Sequence, residues 1–297
     1  MATAIEWTEE TWNPATGCTK VSPGCAHCYA EALTKRYAGS PGWPETFEPW
    51  ILGNETVFLH PERLEKPFSW KTPRRVFVNS MSDLFHEAIP DGFIDRVFAV
   101  MALAQQHVFQ VLTKRPERMR AYFADIDQRI YDIGGEAQGM AEGIGGNLPK
   151  HYADFVDHSF LSDWLPSLPL PNVWLGVSVE NQRWADERIP ILLDTPAAVR
   201  FISAEPLLGP IDLMPYLDAK YGYSAFFYLK ERALSWIIVG GESGPRHRPF
   251  DPDWARRILH QTRAFQIPAF IKQLGGARPG TRLEDLPEDL RVREYPR

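Results

Sequence analysis

Short β-branched and aromatic runs recur along this chain, each ending in a polar residue and each followed by a helical pattern. Arg75-Val-Phe-Val78 runs into Asn79-Ser80-Met81-Ser82-Asp83, as a strand ending in a polar loop does. Behind it Ile94, Val97, Phe98, Met101 and Ala102 fall at helical spacing, after Pro90 and Asp91, which suit a helix start. Val108-Phe-Gln-Val-Leu112 repeats the unit and ends in Thr113-Lys114-Arg115, with Pro116 placed to open a helix that carries Met119, Tyr122 and Phe123. Val173 to Val179, Val199 to Ser203 and Trp236 to Val239 follow, each leading into a glutamate: Glu180, Glu205 and Glu242. A last strand, Pro268-Ala-Phe-Ile271, ends at Lys272, after a helix that Asp251 caps and Pro252 opens.

Near-continuous apolar strands separated by helices predict an α/β fold with a parallel sheet covered on both faces. About six or seven strand–helix units favour a (β/α) barrel, complete or partial, over an open doubly wound sheet. At 297 residues and 44% hydrophobic content the chain has enough material for one such core. We therefore expect a single domain over residues 1–297, with a Pro-, Gly- and Trp-rich loop excursion at 37–58 and an insertion at 127–171.

Chemistry is concentrated in the cysteines. The chain has three, and all fall in Cys18-Thr-Lys-Val-Ser-Pro-Gly-Cys25-Ala-His-Cys28. An odd count without an apparent signal peptide argues against a disulfide framework. Three thiolates this close suit a tetrahedral metal or three corners of an iron–sulfur cluster, and either leaves a metal position open unless His27, His60 or His86 joins. Tyr29 to Tyr37 reads as a helix, which puts Cys28 at its amino terminus, where free backbone N–H groups favour negative charge. Gly17 and Gly24, each just before a cysteine, permit tight turns there.

A net charge of −6 opposes a broadly basic nucleic-acid surface while leaving room for a local groove. No apolar run reaches the roughly 18 residues of a membrane span, so we expect no membrane partner and a cytoplasmic protein. If a barrel forms, its reactive groups gather at the carboxyl ends of the strands. Those ends supply Asn79, Ser80 and Asp83, then Lys114 and Arg115, Ser178, Glu180 and Asn181, Glu205, Glu242, and Lys272. Two other readings stay open at this point. Asp83, Glu180, Glu205 and Glu242 would suit a divalent-metal hydrolase or isomerase with structural zinc on the cysteines. Alternatively, Trp12, Trp43 and Trp50 would stack bases in a noncatalytic nucleic-acid- or partner-binding barrel.

A three-cysteine loop opening the first helix of a β/α barrel resembles the radical S-adenosylmethionine (SAM) superfamily. More narrowly, Asn13-Pro-Ala-Thr-Gly-Cys18, Cys25-Ala-His-Cys28-Tyr29, Phe77-Val-Asn-Ser-Met-Ser-Asp-Leu-Phe-His86, Leu112-Thr-Lys-Arg-Pro-Glu-Arg118, Trp174-Leu-Gly-Val-Ser-Val-Glu-Asn181, Phe201-Ile-Ser-Ala-Glu-Pro-Leu-Leu208 and Val239-Gly-Gly-Glu-Ser-Gly244 resemble a phage-associated, radical-SAM-like family of unassigned reaction. The cysteine spacing is wider here than the superfamily's usual one, and His27 stands where an aromatic residue is common. The resemblance implies a 4Fe-4S cluster on Cys18, Cys25 and Cys28, SAM as cosubstrate, an external electron donor and a 5′-deoxyadenosyl radical that takes a hydrogen atom from substrate. It implies SAM contacts from Tyr29, from Asn79, Ser80 and Asp83, and from Ser178, Glu180 and Asn181. Lys114, Glu205, Glu242 and Lys272 are then the candidate catalytic residues on the substrate side, and the phage context leans toward a nucleic acid or nucleotide as substrate.

Overall fold

The computed structural model describes residues 3, 5–37, 57–143, 167–217, 233–278 and 280–296. In chain order its strands are β1 (Glu10–Trp12), β2 (Ala15–Thr16), β3 (Phe58–Leu59), β4 (Arg75–Val78), β5 (Val108–Thr113), β6 (Val173–Ser178), β7 (Val199–Ala204), β8 (Trp236–Gly240) and β9 (Ala269–Gln273). Its α-helices are α1 (Tyr29–Tyr37), α2 (Asp91–Leu103), α3 (Pro116–Tyr122), α4 (Ile126–Gly143), α5 (Gln182–Asp194), α6 (Met214–Leu217) and α7 (Pro252–Ala264).

Seven strands form one parallel sheet in the order β1-β4-β5-β6-β7-β8-β9, and β2 and β3 make a small antiparallel pair beside it. Every expected core strand is present. The sequence reading did not include β1, β2 or β3, which are two or three residues long. In a flat sheet β1 and β8, five strand steps apart, would lie about 24 Å from each other. Yet Trp7, just before β1, has its ring centroid 6.2 Å from that of Trp236 on β8 and 6.5 Å from that of Phe201 on β7. The sheet is therefore curled into a half-barrel, the partial form of the expected architecture, and β1 and β9 do not pair with each other.

Period-two alternation fills the concave side. Phe77, Trp174, Phe201, Trp236 and Phe270 point inward and pack with Trp7 into an aromatic layer. Gly176 sits in that layer because a Cβ there would come 2.6 Å from the Phe201 ring. The opposite face buries a larger aliphatic cluster under the helices, with Val76, Val78, Val111, Val177, Ile202, Ile237 and Ile271 facing Ile94, Val97, Ile189 and Ile258. The two faces explain why the strands read as continuous apolar runs.

The carboxyl-terminal segment covers the outer edge of β9, with Ile271 N–H donating to Val292 O (2.8 Å) and Glu294 N–H to Ala269 O (2.9 Å). Tyr295 packs tilted against Trp236 and edge-on against Phe270, and Arg75 lies 3.9 Å over its ring. An exposed sheet edge is thereby blunted.

Helix starts follow the sequence closely. Pro116 opens α3, and the Asp251 carboxylate caps α7 by accepting from Asp253 N–H at 2.9 Å. The glycine-bearing string Gly134 to Gly139 is built into the 18-residue helix α4. Residues 144–166 of the expected insertion and nearly all of the 37–58 excursion, with Trp43 and Trp50, lie outside the described residues. No helix among the described residues is long and apolar enough to cross a membrane.

Candidate functional site

One cavity opens at the carboxyl ends of the strands, and the aromatic layer forms its base through Trp7 and Phe77. Its wall takes Asn79, Ser80 and Asp83 after β4, Lys114 and Arg115 after β5, Ser178 on β6, Ser203 and Glu205 from β7, Glu242 after β8 and Lys272 on β9. Cys18, Cys25 and Cys28 from the loop between β2 and α1, and Tyr29 at the start of α1, complete it. The structure thus brings together twelve of the fourteen residues expected from sequence; Glu180 and Asn181 are not on the wall. The Asn181 side chain caps α5, accepting from Trp184 N–H at 3.4 Å.

Glu180 has a different task. It is fully buried, pairs with Arg188 Nη1 at 3.2 Å and accepts a short hydrogen bond from Ser22 Oγ in the cysteine loop. Gly24 lies against the same carboxylate, so close that a Cβ would come 2.3 Å from Glu180 Oε1. Loop and strand end can approach this closely only with glycine there.

Two further charge clusters hold the loop. Glu242 accepts from Arg248 Nη2 (2.6 Å), Arg248 Nε (3.0 Å) and Arg248 N–H (2.8 Å), and its Oε2 lies 2.9 Å from His27 Nδ1. Arg248 also donates to Pro23 O at 3.0 Å. On the other flank Arg115 donates to Thr19 O at 3.2 Å and to Cys18 Sγ at 3.5 Å, and His86 Nε2 lies 3.0 Å from Thr19 Oγ1. The loop's entry is tied down as well, by Gly17 N–H to Met81 O (3.1 Å) with Gly17 at φ 87°.

Each strand-end carboxylate is therefore matched by its own cation: Asp83 with Arg115, Glu180 with Arg188, Glu205 with Lys272 (2.8 Å) and Glu242 with Arg248. Asp83 also accepts from Phe85 N–H, Thr113 Oγ1 and Lys114 N–H, joining the ends of β4 and β5. These four acids do not form a shared oxygen-ligand set for a divalent metal. Among the described residues no three His, Cys, Asp or Glu side chains converge as metal ligands. Nor is Trp12 a base-stacking surface, since it is buried and its indole N–H donates to Arg63 O at 2.8 Å.

Burial opposes ionisation of Glu242, but hydrogen bonds from Arg248 and His27 outweigh it and hold the carboxyl down at about 2. A carboxylate depressed on folding stabilises the protein above its ordinary titration range and loses that contribution as pH falls through the folded value. Glu242→Gln is accordingly expected to melt below the parent protein at neutral pH, with the gap closing as pH approaches 2; thermal melts from pH 7 to 2 check this.

The thiols sit in a contrasting field. Burial pushes the Cys18 thiol up to about 12, with the Asp83 carboxylate adding to the rise against Arg115. Burial also raises Cys28, although backbone N–H groups of Glu31 and Ala30 at the start of α1 and the charge of Lys114 pull the other way. As free thiols these groups stay protonated at neutral pH, and a bound metal is what converts such donors to thiolates.

Asn79 is the second unusual group on the wall. It holds the left-handed backbone (φ 58°), is buried, lines the cavity, and neither atom of its carboxamide has a hydrogen-bond partner. Strain and an orphaned polar group together are characteristic of a binding position. Lys114 adds an ammonium held by Ser178 Oγ at 3.1 Å, and no carboxylate pairs with it among the described ion pairs.

Over residues 2–288 the chain matches the model of a family described as a protein of unknown function (DUF5131). The chain belongs to that family. No curated protein and no solved structure matches it.

Arg188, Arg248, Ser22 and Thr19 hold the cysteine loop and were missed by the sequence reading, whereas His86, which it offered only as a further metal ligand, sits beside Thr19 Oγ1. Arg188 lies eight positions beyond Glu180 and Arg248 six beyond Glu242, so a cation soon after each strand-end acid was the available signal.

Proposed function

We propose that this protein is a radical SAM-type enzyme whose 4Fe-4S cluster is held by Cys18, Cys25 and Cys28. The observation that carries the reading is that all three thiols line one cavity with polar groups from every strand end between β4 and β9. The donor set fits the group: three soft sulfur donors, no fourth cysteine in the chain, and a partly exposed setting for each thiol.

A cluster held by Cys18, Cys25 and Cys28 would supply one-electron chemistry, passing an electron from an external donor to the SAM sulfonium so that methionine is released and the 5′-deoxyadenosyl group is left as a radical able to take a hydrogen atom from substrate. Asn79, Ser80, Ser178 and Tyr29 would hold SAM beside the cysteines, with Lys114 offering charge to its carboxylate. The aromatic base made by Trp7 and Phe77 excludes water from below. Glu205, Lys272 and Glu242 face the substrate side, where the Glu205–Lys272 pair presents both a donor and an acceptor. The phage-associated resemblance points to a nucleic acid or nucleotide as substrate.

Anaerobic purification followed by iron, sulfide and zinc assays tests the reading, with dithionite and SAM then added and 5′-deoxyadenosine measured. About four irons and four sulfides per chain are expected. A colourless zinc protein, or an iron protein that leaves SAM intact, would overturn it.

A further inference from the structure

We infer that Arg115 is a positioning residue that sets the reduction potential of the metal centre through an N–H···S bond to Cys18. This rests on the reading of the cysteines as cluster ligands.

Arg115 is 4% exposed, and its guanidinium has a partner at every edge. Nε donates to both oxygens of Glu87 at 3.2 and 3.1 Å. Nη1 reaches Asp83 Oδ2 at 3.2 Å and Cys18 Sγ at 3.5 Å. Nη2 serves Thr19, at its carbonyl (3.2 Å) and its hydroxyl. A guanidinium carries five N–H donors in a rigid plane, and these contacts account for that capacity. Two carboxylates fix the plane from behind, on β4's loop side and beyond, so the remaining donors are aimed at Cys18 and its neighbour rather than free to rotate. The group thus reaches the first sulfur with its orientation already fixed.

Its consequence follows from charge. Reducing a thiolate-ligated cluster adds negative charge that spreads onto the sulfurs, and hydrogen bonds to those sulfurs are among the levers that set the potential. A cationic donor on Cys18 favours the reduced state. Lysine keeps the charge but lacks the planar fork, so it cannot serve the carboxylates, Thr19 and the sulfur together. Neither Cys25 nor Cys28 has a guanidinium donor of this kind among the described hydrogen bonds, which makes the device specific to one ligand.

The test uses the full chain, reconstituted without oxygen and titrated with dithionite against mediator dyes. At the potential where half the parent clusters are reduced, Arg115→Lys is expected to show a reduced-to-oxidised ratio about tenfold lower, in keeping with the strength of one charge-assisted bond. Arg115→Met should fall further, with iron and sulfide content near the parent's in both. Because either variant could fail to fold, the parent protein is also prepared with 15N confined to arginine guanidinium groups. Pulsed paramagnetic resonance of its reduced cluster is expected to show a 15N coupling. An unlabelled-like spectrum, or unchanged potentials in variants that load iron, would overturn the inference while leaving the cluster reading intact. A parent protein that takes up no iron would overturn both.

Discussion

Cys25→Ala is expected to remove the metal centre while leaving the half-barrel folded. Cys25 ends the short 3-10 turn that begins at Pro23, on a loop outside both hydrophobic clusters. The residue is only partly buried, and its one described side-chain hydrogen-bond partner is Ser22 Oγ at 3.9 Å. Losing that side chain costs on the order of 1 kcal/mol or less, a shift of only a few degrees in melting temperature for a chain this long. Cluster retention responds very differently, because a cubane held by three protein thiolates has no spare ligand. Iron content should fall to the background of the assay, and 5′-deoxyadenosine formation by about a thousandfold or more, as expected when a cofactor carrying the hard chemistry is absent. Iron assay, circular dichroism and a thermal melt on one preparation decide the matter. Full iron content in this variant would show that Cys25 is not a ligand.

The contrast between those readouts reflects how much of the molecule the sequence made legible. Strand and helix placement was readable because period-two and helical patterns act locally, and because Pro116 and Pro252 mark helix starts with a fixed φ. The barrel's incompleteness was not, since closure depends on whether the two edge strands meet, and no local pattern encodes that. At the site, the cysteines and the expected strand-end polar residues other than Glu180 and Asn181 line one cavity because parallel β/α topology sends every strand's carboxyl end to the same side. What the pattern could not show was the direction of each acid. Glu180, Glu205 and Glu242 look alike in sequence, each just after an apolar run. In the fold Glu180 turns away to Arg188, Glu242 is tied to Arg248 and His27, and Glu205 stays with Lys272 on the open wall. Partner choice over long sequence separations distinguishes them, and a single sequence does not display it.

Glu180→Ala is expected to be the most destabilising single change at the site. Both partners of the Glu180–Arg188 pair are almost wholly buried, so removing the acid leaves an uncompensated guanidinium against the face of Trp184, whose ring lies 4.1 Å away. Breaking such a pair from one side costs about 3–5 kcal/mol, or roughly 10 °C in melting temperature. The change also removes the acceptor for Ser22 Oγ and the surface against which Gly24 is packed, so the cysteine loop loses its central tether. These two effects separate in the double variant Glu180→Leu with Arg188→Met. Replacing both charges by apolar groups of similar volume is often neutral or stabilising, and the melting temperature should return to within a few degrees of the parent. The tether does not return, because leucine accepts no hydrogen bond. Iron retention in the double variant should therefore stay well below the parent's, with stability restored. Differential scanning calorimetry and iron assay on the three proteins give the answer. Recovery of iron in step with stability would mean that Glu180 supports the fold alone, whereas persistent loss assigns it to holding the cysteines in place.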